Sequence, residues 1–402
     1  MALRTHSFLA AAAAVLVTAA ALLACGGSDD ATAAAPTGPA SLEVHAQLDA
    51  GGVGGITQMP DGQVVIGYHP FYGPKVQVAL LNADRRSTTP YPSVEWQSCK
   101  NADGSWKTDF NNCVDWVLGL HTDANGILWL LDSAKSTDKT AGRPAALVPK
   151  LVGWDTKANR LTRIIEISPA ATIDESQHND FVVDLKNNVI VIADEAIGEK
   201  SNGVGNKAAL VVVDLVTGTS RRLLQGHTSV MPDLSPITWD QGLPTAGSFN
   251  LYVGVDGIAL DKNSEWLYFA PLSNLKMYRI RMSDLLDKSL SAAALGAKVE
   301  AYADKPFNGG LSIDAKNNLY LTEVGERAIG IIPPDSRKYT RYVKDANMVW
   351  PDGVTYNSDG FMYSGAAQLT LTSVLQADGV GKNKAPYLVY RFRPEAPGTP
   401  GF

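Results

Sequence analysis

Trp350-Pro351-Asp352-Gly353-Val354-Thr355-Tyr356-Asn357-Ser358-Asp359-Gly360-Phe361-Met362-Tyr363 reads as an apolar strand, an Asp-Gly turn and a second apolar strand. An Asp-Gly pair flanked by apolar runs is the strongest short-range hairpin signal. Counted from Gly353, the turn falls seven residues on and an aromatic or β-branched residue ten residues on. The same frame recurs at Gly310 (Asn317, Tyr320), Phe181 (Asn188, Val191), Gly119 (Gly126, Trp129) and Gly55 (Gly62, Val65), and at Gly257 with one inserted residue before Tyr268. Each hairpin is followed by enough chain for two more short strands. Six such units predict an all-β fold, a six-bladed β-propeller with four-stranded blades, rather than a sandwich or a solenoid. The last unit lacks its outermost strand while Leu42 to Leu48 reads as a spare one, so the ring is expected to close with that N-terminal strand. The propeller then spans 41–393 as one domain, with 394–402 as a C-terminal tail and 84–116 as a long polar insertion in the first unit.

Hydrophobic residues make up 45% of the chain and charged ones 19%, ordinary for a well-packed protein. The net charge of −6 argues against a nucleic-acid partner, because binding phosphates needs a basic footprint. No Gly-x-Ser-x-Gly elbow, P-loop or dinucleotide fingerprint occurs. His69, His121, His178 and His227 are scattered, without zinc-ligand spacing.

Residues 1–25 combine a positive start at Arg4, an apolar run from Phe8 to Leu23 and the ending Leu22-Leu23-Ala24-Cys25. This is the pattern of a bacterial lipoprotein signal, cleaved so that Cys25 becomes the lipidated N-terminus; an ordinary secretory signal is the alternative. Gly26 after the cysteine points by the usual sorting rule to the outer membrane, and periplasmic or extracellular release is the other exported fate. Residues 26–40, rich in Gly, Ala, Ser, Asp and Pro, read as a flexible tether. The expected partners are thus a small-molecule ligand and a membrane reached through a lipid on Cys25. In such a compartment Cys99 and Cys113 are expected to form a disulfide, worth about 3 kcal/mol on the entropic model.

In a propeller the first strand of each blade lines the central channel and the second returns beside it. The residue before each anchor and the residue thirteen beyond it are therefore expected on one rim. The first column gives Asp180, Asp256 and Asp352, with Asn308 one residue further back in its blade; the second gives Asp132, Asp194 and Glu323. Carboxylates gathered in a recess repel one another unless a cation or hydrogen bonds compensate. Hard oxygen ligands suit Ca²⁺ or Mg²⁺, with Asp180, Asp256, Asn308 and Asp352 as the metal set. They suit equally an organic ammonium held by carboxylates and an aromatic face such as Trp350. His178, two residues before Asp180, is a further candidate for this rim. An Asp before a Gly also caps turns with its own side chain, which is the alternative for each one singly.

Several motifs, in order, resemble the major royal jelly and yellow protein family: Leu128-Trp129-Leu130-Leu131-Asp132, Pro149-Lys150-Leu151-Val152-Gly153-Trp154-Asp155, Asn179-Asp180-Phe181-Val182-Val183-Asp184, Ile192-Ala193-Asp194, His227 with Met231, Val255-Asp256-Gly257-Ile258-Ala259-Leu260, Leu267-Tyr268 and Trp350-Pro351-Asp352-Gly353. The likeness covers roughly residues 76 to 393. It implies a secreted six-bladed propeller. Some insect members are associated with dopachrome conversion, and some salivary members bind biogenic amines in the channel. At Phe307-Asn308-Gly309-Gly310 the chain departs from the family, which more usually has an acidic residue before the Gly. A more distant likeness is to gluconolactonase-type propellers, whose divalent metal is held by carboxylates and Asn at this same mouth. The readings that result are a binder of a small cationic or aromatic ligand, a Ca²⁺-dependent lactonase or related hydrolase, and a dopachrome-type isomerase.

Overall fold

A computed structural model describes residues 41–402 except 135–141, 235–236, 239–247 and 250–251. The expected signal (1–25) and tether (26–40) lie outside the described residues. Among the described residues no helix is long and apolar enough to cross a membrane.

Six four-stranded antiparallel sheets form the ring. Their innermost strands are Val53–Gln58, Val117–Thr122, His178–Asp184, Val255–Leu260, Asn308–Ile313 and Pro351–Tyr356, in blades one to six. Apolar residues on both faces of these sheets fill the seams between blades. Between blades three and four, for instance, Val182, Val191 and Leu210 pack with Ile258, Phe269 and Ile280. Closure comes from Leu42–Leu48, which pairs antiparallel with Tyr387–Phe392 and supplies the outermost strand of blade six. This is the spare strand that the hairpin count leaves over.

Two features of the inner strands were not legible as such. In every blade the ladder between first and second strand slips near the entry, at Val53/Ile56, Val117/Leu120, His178/Phe181, Val255/Gly257, Asn308/Leu311 and Pro351/Val354. A bulge of this kind bends the strand and re-aims its side chains. The anchor glycines also have a second reason to be glycine. A Cβ on Gly353 would lie 2.6 Å from the Gly54 carbonyl oxygen, and one on Gly310 2.7 Å from that of Asp352. Neighbouring blades meet there backbone to backbone, which narrows the channel.

The long insertion starts later than its polarity suggests. Thr88–Pro90 is the fourth strand of blade one, pairing with Val78–Leu81. A three-residue edge strand ending in Pro carries almost no periodic signal. Beyond it the Cys99–Cys113 disulfide is present and packs with Ala134 and Leu147 in a small buried cluster. Residues 394–402 are bound to the ring: Gly398 bridges Asp314, and Tyr356 N–H donates to the Phe402 carbonyl at 2.6 Å. The segment crosses the channel at the end opposite the inner-strand entries.

Candidate functional site

The bulged entries of the inner strands surround a narrow cavity of about 40 Å³. Asp180, Asp256 and Asp352 reach it from blades three, four and six, joined by Asn179, His69 and His121. Its floor is largely backbone at Gly54, Gly119 and Gly310, so carboxylates dominate its chemistry.

Each aspartate has a different neighbourhood. Asp180 Oδ1 accepts the N–H of Phe181 at 2.8 Å and faces His121 Nε2 at 3.0 Å. His121 Nδ1 lies 3.0 Å from the Gly401 carbonyl oxygen, so both ring nitrogens meet acceptors and an imidazolium donates from each. Burial alone would lower the pKa of His121, but Asp180 and the Gly401 carbonyl outweigh it, and the pKa is raised. Asp256 Oδ1 accepts from Asn179 Nδ2 at 2.7 Å. The same amide donates to Glu195 Oε1 at 3.2 Å, and Gln177 Nε2 holds Glu195 Oε2 at 2.6 Å. Burial, then repulsion from Asp180, pushes the Asp256 carboxyl up to about 7. Asp352 lies between Gly54 and Gly309. Burial, followed by the charges of Asp256 and Asp180, raises it well above the usual carboxylate range.

Around this mouth the segments flanking the inner strands form an apolar collar. Val253, Leu272, Val324, Val349, Trp350 and Leu369 are its buried part, and Phe71, Tyr72, Ile197 and Phe307 pack on it half-buried. Trp350 is held at φ 50°, the left-handed region, which costs a non-glycine residue about 1–3 kcal/mol. It belongs to the collar rather than to the cavity wall.

The other candidates sit elsewhere. Asp132, Asp194 and Glu323 stand at the expected end of their blades but turn into the sheets and away from the cavity. Asp132 pairs with Lys150 at 2.8 Å and accepts N–H groups of Trp116 and Ala134; Asp194 pairs with Arg222; Glu323 takes Arg341 through both oxygens, at 2.9 Å each. His178 is fully buried, 3.7 Å from Asp194 and 3.2 Å from Thr172, and burial lowers its pKa. Alternation places these side chains on the sheet face, where the strands of their own blade bring cations to meet them. Asn308 is fully buried beside the aspartates; its Nδ2 donates to the Gly309 carbonyl at 2.7 Å, and its Oδ1 has no partner.

Glu195, Asn179, His69 and His121 were not singled out as candidates for this site. Glu195 and Asn179 adjoin residues of the two columns, Asp194 and Asp180. His121 stands two residues after the anchor Gly119, and His69 caps the short helix Pro70–Tyr72.

Among the described residues no three acidic, histidine or cysteine side chains group as a metal site requires. Of the set Asp180, Asp256, Asn308 and Asp352, Asp180 faces His121 and Asp256 accepts from Asn179, so two of its members are already engaged by protein groups. Asn308 Oδ1, buried and without a hydrogen-bond partner, is an oxygen ligand that a cation could engage.

Solved structures similar to the chain share its fold. A luciferin-regenerating enzyme matches 90% of this chain and 98% of its own at 13% identity, with a TM-score of 0.56. A gluconolactonase of Xanthomonas campestris matches 88% and 89% at 9% identity and a TM-score of 0.52. Regucalcin, a calcium-binding protein of Agrobacterium tumefaciens, matches 89% and 96% at 13% identity and 0.52. No curated protein sequence matches the chain. Residues 117–369, which carry the whole aspartate column, match the major royal jelly protein family, and the chain belongs to that family.

Proposed function

We propose that the protein is an exported, lipid-anchored propeller that binds a small organic cation with an aromatic body at its acidic mouth. The carrying observation is that three blades each aim an aspartate at one cavity, with Asp256 and Asp352 raised by burial and mutual repulsion. A cation removes that repulsion. The cavity, at about 40 Å³, suits an ammonium head and no more, so the body of the ligand would rest on the collar of Phe71, Tyr72 and Phe307. Cation–π and stacking contacts there favour aromatic amines.

A second reading, a Ca²⁺-dependent lactonase, is favoured by Asn308 Oδ1 and by the company of a gluconolactonase and a calcium-binding protein among similar folds. The engagement of Asp180 by His121 and of Asp256 by Asn179 weighs against it. Dopachrome-type isomerisation rests on family likeness alone. A thermal-shift series separates the readings: aromatic ammonium ions raise the melting temperature and Ca²⁺ does not. Stabilisation by Ca²⁺ that disappears in Asp256→Asn would favour the hydrolase. Anchoring is checked by labelling with a palmitate analogue, which the wild-type chain takes up and Cys25→Ser does not.

A further inference from the structure

At the far end of the channel a second cavity of about 270 Å³ opens between the turns of blades two to five. Its chemistry is the reverse of the acidic mouth. The wall is apolar, built by Val182, Ile258, Leu260, Leu311 and Ile313 from three inner strands and by Phe402 from the segment that crosses the channel. Phe402 stacks on His121 with ring centres 5.3 Å apart and planes 7° from parallel, which separates this space from the aspartates.

The rim carries two carboxylates and two ammonium groups, and they are not equivalent. Asp123 is spent on its own turn: Oδ1 accepts the N–H of Asn125 and Ile127 at 2.8 and 3.0 Å, and Oδ2 accepts Trp129 Nε1 at 2.9 Å. Asp261 likewise accepts the N–H of Glu265 at 2.8 Å. Lys186 and Lys262 are exposed on adjacent turns, and Lys186 Nζ reaches the Asn263 carbonyl at 2.8 Å, which keeps it beside the opening.

We infer that this cavity is a second ligand site, for a small amphipathic anion with an apolar body of one or two rings and a carboxylate or sulfonate at one end. Cavities near 150 Å³ already hold a benzene-sized guest, so the space suits the body. Apolar burial supplies the affinity, and the two lysines orient the anionic end towards solvent. This inference does not rest on the ligand proposed at the acidic mouth, although His121 borders both cavities.

Calorimetric titration of the full chain with naphthalene-2-carboxylate tests it. One site per chain is expected. In the double variant Lys186→Glu/Lys262→Glu, confined to exposed side chains, affinity falls about tenfold or more and the salt dependence of binding changes sign, since added salt now screens repulsion of the anion. Ala124→Trp, at an exposed turn position on the rim, reduces binding by narrowing the entrance. The neutral naphthalene-2-carboxamide binds more weakly than the carboxylate. No saturable heat at millimolar naphthoate, equal affinity in both variants, or equal affinity for the carboxamide overturns the inference. Unchanged melting temperatures of the variants show that any loss is local.

Discussion

Asp256 retains its proton near neutrality because it is buried and faces Asp180, while Asn179 and Glu195 hold it in place. An aspartate in an unfolded chain titrates near 3.9, so between about pH 4 and about pH 7 the folded protein binds a proton that the unfolded one releases. That group therefore lowers stability as pH rises through this window and changes nothing above it. In Asp256→Asn this part of the pH dependence vanishes, and the ligand-free protein gains about 1 kcal/mol at pH 7.5, read from urea denaturation at several pH values. Binding runs the other way: affinity for a permanently charged ammonium rises with pH through 7, as the aspartates ionise. Titration with benzyltrimethylammonium from pH 5.5 to 8.5 measures this, and Lys305, a buried amine facing Asp256 and lowered to about 7 by burial, contributes in the same window. At this scale Asp180, Asp256 and Asp352 could be placed from the sequence because each stands at a fixed distance from its own turn. His121 could not, because its role is defined by Asp180 in the neighbouring blade, and Glu195 lies one residue off its column.

The inner strand with its entry bulge is the element that makes the site. In three blades it turns an aspartate to the channel, and it leaves the adjoining end of the second strand to face its own sheet. The second column of carboxylates was read correctly as to height and wrongly as to direction. A hairpin fixes which residues share an end, whereas the outer strands fix what those residues meet. Asp194 with Arg222 illustrates the consequence, since both side chains are almost wholly buried. Removing Arg222 takes away the guanidinium that faces the buried Asp194 carboxylate, so Arg222→Met is expected to cost about 3–5 kcal/mol in chemical denaturation. Asp194→Asn in the same background should recover part of that loss, because it removes the orphaned charge. Neither change reaches the acidic cavity, and binding at the mouth by the folded fraction should be unaffected.

The ring as a whole is closed by pairing two distant parts of the chain, Leu42–Leu48 and Tyr387–Phe392. The repeat count made this legible: six inner hairpins and one strand too few at the end leave few other ways to close. The crossing of residues 397–402 was not legible, because Pro, Gly and Thr in that stretch carry no strand periodicity and its contacts are backbone hydrogen bonds. Deleting residues 41–48 exposes the edge of Tyr387–Phe392 and unpicks the seam on which blade six depends. The expected result is loss of the sharp melting transition and appearance of oligomers on size exclusion, while Cys99→Ser/Cys113→Ser costs only about 3 kcal/mol and leaves the protein monodisperse.

The central claim is that the acidic mouth takes the charged head of an aromatic amine. Calorimetric titration of benzyltrimethylammonium at pH 8 into wild type, Asp256→Asn and Asp352→Asn tests it most directly. One site is predicted in the wild type, with affinity reduced about tenfold or more in each variant. Equal affinity in all three proteins, or no binding of the ammonium ion together with one-site binding of Ca²⁺, would contradict it.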